Sequence, residues 1–319
     1  MKTKITDLFE IEYPIVQGGM IWVASHPLVA AVSEAGGLGL LGSGSMYPEQ
    51  LREEIRKTRE LTRKPFGVNI PLLRADAEKL MEVALEEKVR IVFTSAGNPG
   101  RFTSFLKSHG VTVAHVVPSV KFAKKAEAAG VDTVVAEGTE AGGHNGFEEI
   151  TTLCLVPQVA DTVSVPVIAA GGIGDARGVA AAMALGADGV QMGTRFALTR
   201  ESAAHPNYKG KGIEAGEGDT LLFARKIGPI RAYKNAFALR IWQAEFAGKS
   251  PEEIRGLVGE RRAKLGIHEG DTEEGDLEMG QIAGLVKELK PVGEVMEEII
   301  SGLGRVTARL NRVMNEIKN

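Results

Sequence analysis

A closed barrel of eight parallel strands with helices outside, a (β/α)8 or TIM barrel, is the fold this 319-residue chain predicts, and three observations carry that expectation. A helix ending in Ala or Gly is followed at once by a short apolar strand in SEAGG-LGLLGSG, KSHG-VTVAHVV, EAAG-VDTVVAEG and ALGA-DGVQMG, so one unit recurs. The strands are apolar almost throughout and do not alternate with polar residues, as parallel strands covered on both faces should be. Glycines and polar residues sit at every strand end, whereas an open doubly wound sheet, the alternative, concentrates them at one switch point.

The strands fall at Ile15–Gly19, Leu38–Ser43, Phe66–Ile70, Ile91–Gly97, Val111–Val117, Thr133–Gly138, Pro166–Gly172 and Gly189–Thr194. Between them, apolar residues recur three or four apart among charges, most clearly in Pro48–Thr62 and Arg74–Val89, which predicts crossover helices. After Arg195 the pattern changes. Glu201–Gly218 is polar and rich in glycine, Pro251–Gly266 reads as a charged amphipathic helix, and an acidic loop covers Glu269–Glu278, with no strand expected. The domains expected are therefore a barrel over 1–199, a smaller helical subdomain or lid over 200–279, and a segment over 280–319 that packs back on the barrel. That last segment reads as an amphipathic helix interrupted near Gly302–Gly304.

Composition narrows the function. The chain carries 38 basic and 41 acidic residues for a net charge of −3, so no basic face awaits nucleic acid. Cys154 is the only cysteine, which excludes an internal disulfide and any cysteine-rich metal site, and no metal is expected. Neither a leader-like N-terminus nor a run of about 18 apolar residues is present, so a cytoplasmic protein with no membrane partner is expected. Few aromatics, 5%, leave the core to aliphatic residues.

Strand ends supply the candidate site. In TVVAEGTEAGGHNG an apolar strand ends at Glu137, and the pair Gly142–Gly143 delivers His144, one of six histidines. Removing side-chain bulk lets a flat ligand approach the backbone, and an imidazole moves protons near neutral pH. His144 is therefore the candidate proton carrier. His115, inside a strand, is expected to be structural, as are His26, His109 and His268, with His205 intermediate. Gly171–Gly172 and Gly193–Thr194 end the seventh and eighth strands, whose loops bind phosphate in many barrels, although tight turns explain such glycines equally simply. No GxGxxG with an acidic partner supports a Rossmann site. Gln17–Gly18–Gly19–Met20 and Asn69 stand where a planar heterocycle would be hydrogen-bonded and packed upon, Met20 serving the core otherwise.

Taken together, QGGM, AGGLGLLGSG, KPFGVNI, TSAGNP, AEGTEAGGH, PVIAAGGI, QMGTRF and GQIAGL resemble the FMN-dependent enoyl-acyl-carrier-protein reductase II and nitronate monooxygenase family over most of the chain. The resemblance implies a flavin-binding TIM barrel, FMN as cofactor, NADH or NADPH as reductant, and acyl carrier protein or an acyl thioester as partner, with a homodimer one option. Flavin contacts carried over by position are Gln17, Gly18, Gly19, Met20, Gly42, Asn69, Glu137, Gly142, Gly143, Gly171, Gly172, Gln191, Gly193 and Thr194, and His144 matches the active-site histidine. Gln17–Gly18–Gly19, AHPNYK and GQIAGLV resemble the reductase branch; nitronate monooxygenases tend to carry Ala-Pro after the glutamine. One departure bears on the substrate mouth: Leu277–Glu278–Met279, just before Gly280, is bulkier and more acidic than the Val-Met-Ala of many relatives. Nitronate oxidation is the alternative activity, and a flavin-free phosphate-binding isomerase or lyase barrel the alternative class.

Overall fold

The computed structural model describes residues 1–317. Helix α1 (Lys4–Phe9) precedes strand β1 (Ile15–Gln17), and strand and helix then alternate: α2 (His26–Glu34), β2 (Gly39–Gly42), α3 (Pro48–Leu61), β3 (Phe66–Pro71), α4 (Ala77–Glu86), β4 (Ile91–Ser95), α5 (Thr103–Ser108), β5 (Thr112–Val117), α6 (Val120–Ala128) and β6 (Thr133–Glu137). A two-residue strand β7 (Gly143–His144) leaves the barrel before α7 (Thr152–Ala160), β8 (Val167–Ala170), α8 (Ala176–Ala184), β9 (Gly189–Met192) and the short α9 (Thr194–Ala197). All eight expected barrel strands are present. They pair in parallel in the order β1-β9-β8-β6-β5-β4-β3-β2, and a bridge between Val16 and Leu38 joins the two ends of the sheet.

That last seam is thin, and a side chain reinforces it. The Leu40 N–H donates to Gln17 Oε1 at 3.1 Å, and Gln17 Nε2 donates to the Leu40 carbonyl at 3.2 Å, so the amide acts as an extra peptide group between β1 and β2. Along each strand, alternate residues face inward. Val16, Leu40, Phe93, Ala114, Val135 and Ile168 fill the interior, with Ile5 and Phe9 of α1 plugging the lower end and the Phe9 and Phe93 rings 5.6 Å apart. The outward residues, among them Ile15, Leu41, Val68, Val92 and Val134, pack under the helices.

Residues after α9 depart from the expectation in three respects. Besides α10 (Pro206–Glu214), α11 (Ala236–Phe246) and α12 (Pro251–Val258), this region holds two strands, β10 (Thr220–Phe223) and β11 (Ile230–Tyr233). They form an antiparallel sheet with β7, with Phe223, Ile230, Phe237, Ile241 and Ile254 as a core of their own. Four-residue strands beside Gly228 and Pro229 offer too little periodicity to be read in sequence. Helix α12 stops at Gly259, whose φ is +63°, short of the predicted Gly266. Helix α13 runs unbroken from Val292 to Ile317. Its Gly302 is no break, because a Cβ there would lie 2.6 Å from the Ala176 Cβ; the glycine lets α13 seat closely on α8. Packing on α8 and α2, α13 completes the ring of helices.

Close backbone contact also fixes Gly39, where a Cβ would lie 2.2 Å from the Val29 carbonyl oxygen. Gly39→Ala should therefore destabilise the fold by about 2 kcal/mol or more, as overpacking does. Urea unfolding checks this: the midpoint falls while the slope stays constant.

Candidate active site

Inward alternation on β3, β4, β6 and β9 places Asn69, Ser95, Glu137 and Gln191 above the apolar plug, at the carboxyl ends of the strands. They form a polar ring at the floor of a cavity of about 790 Å³. Of the residues expected from sequence, Gly18, Gly19, Met20, Asn69, Glu137, Gly142, Gly143, His144, Gly171, Gly172, Gln191, Gly193 and Thr194 line this cavity together. Gln17 and Gly42 do not. Gln17 is fully buried with both amide atoms on Leu40, and Gly42 acts from behind, since a Cβ there would lie 2.2 Å from the Met20 carbonyl oxygen and push the Gly18–Met20 turn away. Sequence position alone does not separate a side chain beside a ligand from one that supports the loop beside it.

Glycine is required here for more than turns. At Gly19 a Cβ would lie 2.2 Å from the Asn69 Cβ, and Gly171 and Gly172 have φ values of +92° and +67°, which disfavour any side chain. The second loop is clamped by Glu140, whose carboxylate accepts from the Thr152 N–H at 2.9 Å and from its hydroxyl at 2.9 Å. Thr152 Oγ1 also lies 2.9 Å from the Gly171 carbonyl, so Glu140, Thr152 and the Gly171–Gly172 turn form one unit. Thr194 Oγ1 accepts from the Gly280 N–H at 2.8 Å and holds the returning chain against the eighth strand end.

His144 stands across the cavity on the small sheet. Strand β11 pairs Ile230 with His144 and Ala232 with Glu278, so the two side chains lie on one face, with the imidazole Nδ1 3.7 Å from Glu278 Oε1. Gly143 makes room: its φ is +83°, and a Cβ would lie 3.1 Å from Glu278 Oε2. The imidazole itself is exposed, 72%, while Glu278 is 15% exposed. Burial raises the Glu278 carboxyl, and the facing imidazole draws it back down. Asp276, also buried, is raised further by burial and by Glu278. Tyr208 donates from its hydroxyl to the Glu278 carbonyl at 2.7 Å, and Arg231 Nε donates to the Thr139 carbonyl at 2.7 Å, tying the sheet to the β6–β7 loop.

Ser95, His115, Tyr208 and Glu278 are among the lining residues absent from the sequence reading of the site. For Glu278 a signal existed, its departure from the pattern of relatives; for His115 the structural expectation holds in part, because its Nδ1 lies 2.8 Å from Thr94 Oγ1 and burial lowers its pKa to about 4. His205 caps α10, accepting from the Asn207 N–H at 3.1 Å, and His26 pairs with Glu54 at 2.9 Å.

Glu137 makes no hydrogen bond or ion pair from its carboxylate among the described residues, and burial raises its pKa from 4.5 to about 7. Between those values the folded chain holds a proton that the unfolded chain has released, so stability falls as pH rises through that window and levels off above it. Glu137→Gln should flatten this decline, measured as denaturant midpoints from pH 4.5 to 8; an unchanged slope would place the titration elsewhere.

With this geometry the chain can be compared with known proteins. The family described as nitronate monooxygenase matches residues 2–82 and 74–302. FabK from Thermotoga maritima superposes with a TM-score of 0.94 at 46% identity, covering 98% of this chain and 99% of that one. Among curated relatives, a (3aS,4S,5R,7aS)-5-hydroxy-7a-methyl-1-oxo-octahydro-1H-indene-4-carboxyl-CoA dehydrogenase from Rhodococcus jostii is 34% identical over 94% of this chain and 95% of its own length. A probable nitronate monooxygenase from Staphylococcus aureus is 32% identical over 96% and 98%. A closed eight-stranded barrel with its glycine-lined cavity at the carboxyl ends of the strands, matched along nearly its whole length, belongs to the nitronate monooxygenase family of oxidoreductases.

Proposed function

We propose that this protein is an FMN-dependent enoyl-acyl-carrier-protein reductase, reduced by NADH or NADPH and acting on an enoyl thioester. The observation that carries the reading is the polar ring of Asn69, Glu137 and Gln191 facing His144 across one glycine-lined cavity. Its residues fit a flat heterocycle with a phosphate tail: a partnerless carboxyl at Glu137, and turns at Gly18–Gly19 and Gly171–Gly172 where no side chain fits. Support for the thioester side comes from the 46% identity with FabK against 32% with the nitronate monooxygenase, and from a relative whose name carries a carboxyl-CoA.

Gly18, Gly19, Met20, Asn69, Glu137 and Gln191 would hold the ring, and the amides at Gly171, Gly172, Gly193 and Thr194 would hold the phosphate. When bound, FMN supplies hydride from NADH or NADPH to the β-carbon of the enoyl thioester. The chain's own contribution is the proton. His144, its Nδ1 3.7 Å from Glu278 Oε1, would donate that proton to the α-carbon, with the Glu278 carboxylate facing the imidazolium. Met20, Ile173 and Ile282, apolar residues of the same lining, would exclude water from the reacting atoms.

His144→Ala should retain FMN while enoyl reduction slows about 10²-fold or more, within the usual range for a positioned acid. Flavin absorbance of the purified variant and stopped-flow reoxidation by crotonyl thioester read the two effects separately; unchanged turnover removes His144 from the reaction. Run anaerobically on the native protein, the same reoxidation tests the function itself. A colourless protein favours the flavin-free barrel, and reoxidation only by oxygen in the presence of a nitronate favours nitronate oxidation.

A further inference from the structure

The cavity lining contains four carboxylates, Glu137, Glu140, Glu148 and Glu278, and neither lysine nor arginine. Nothing inside it recognises an anionic carrier. Outside, one helix does the opposite. α6 begins at the barrel's cavity end, and Lys121, Lys124 and Lys125, spaced three and four apart, share one exposed face. Arg225 and Lys226, on the β10–β11 turn at the same mouth, are engaged with Glu149 at 2.6 Å and with the Lys249 carbonyl at 2.6 Å, whereas the three α6 lysines form no ion pair among the described residues.

At Lys121 the placement runs against helix stability, whereas Lys125 lies in the last turn. A helix N-terminus carries the positive end of the macrodipole and favours acidic residues, yet α6 has none in its first turn and has Lys121 there instead. Ser119 makes no capping hydrogen bond, and its buried hydroxyl has no partner. The face is also joined to the cavity. Phe122, 38% exposed between the lysines, lines the cavity mouth, as does Phe147 at 67%, and Lys125 stands near enough to the cavity residue His115 to disfavour its charged form. The turn Pro99–Arg101 packs on α6.

We propose that this α6 face, Lys121, Lys124 and Lys125 around Phe122, docks an acidic carrier protein that delivers its acyl group on a phosphopantetheine arm past Phe122 into the cavity; the inference rests on the thioester-reductase reading. Charge complementarity selects this occupant. A patch of three lysines on a chain of net charge −3 is too small to track a nucleic acid.

The test titrates labelled holo-acyl carrier protein against the flavin-loaded enzyme and the triple variant Lys121→Glu/Lys124→Glu/Lys125→Glu, with a triple Lys→Gln variant as the milder change. Charge reversal should weaken binding at least about tenfold, the glutamine variant less, and native binding should weaken steeply with added salt. With crotonyl carrier protein KM should rise by the same factor at constant kcat, while crotonyl-N-acetylcysteamine is turned over as before. Native enzyme that does not bind the carrier at low salt, variants that bind it equally well, equal losses with the small thioester, or an equal loss with crotonyl-CoA would each overturn the proposal. Carrier binding that depends on the lysines in a protein that reduces neither thioester leaves the docking face standing and removes the reductase reading.

Discussion

Everything at the cavity depends on the seam between β1 and β2. Every other strand pair in the barrel is held by a ladder of several registered residues, but this one has a single bridge, Val16 to Leu38, flanked by the Gln17 amide on Leu40. A primary amide carries the same donor and acceptor as a peptide group, so a buried side chain continues the sheet where the backbone diverges. Divergence is what the site needs. It lets the Gly18–Met20 turn fold across the top of the barrel, with Gly19 against Asn69 and Gly42 beneath Met20. Were Gln17 replaced by an aliphatic residue, the Leu40 N–H and carbonyl would be left unsatisfied in the core, at a cost of about 1–3 kcal/mol each.

On the proposed reading, cofactor binding and proton handling fall to different structural units. The polar ring belongs to barrel strands, whose side-chain directions are fixed by the pleat and by packing on both faces. His144 and Glu278 belong to the small sheet, held to the barrel through Arg231 and Thr139 and through Thr194 and Gly280. The two units meet at loops, where substitutions are tolerated more easily than in a packed core. Substrate preference can therefore change at Glu278 or its neighbours without disturbing the ring below. This fits a family whose matched members carry names as different as nitronate monooxygenase and a carboxyl-CoA dehydrogenase.

The barrel was legible because its signals are local: an apolar run of four to six residues, a glycine-bounded end, a helix of 3.6 periodicity between. Glu137 was legible for the same reason, as a carboxylate closing an apolar strand, whereas Gln191 was reached only through the family resemblance. Gln17 was misassigned because the sequence marks its place at a strand end but not the direction of its amide, which only the neighbouring strand determines. The small sheet was invisible because β7 has two residues and its partners lie nearly ninety positions away, so no periodicity announces a pairing that long-range contact creates. Gly302 misled because glycine has two uses in a helix, ending it or letting a neighbour approach, and the second is recognisable only from α8.

The position of α13 bears on how the chain comes to be made. Its seat between α8 and α2 lies against some of the earliest-synthesised helical residues, while the segment itself is translated long after the final barrel strand. During synthesis the apolar flanks of α2 and α8 stay wet until α13 emerges to cover them. A ribosome-bound intermediate with a finished floor and an uncovered side is thus built into the order of elements, and truncation near the carboxyl terminus would trap the protein in that sticky form.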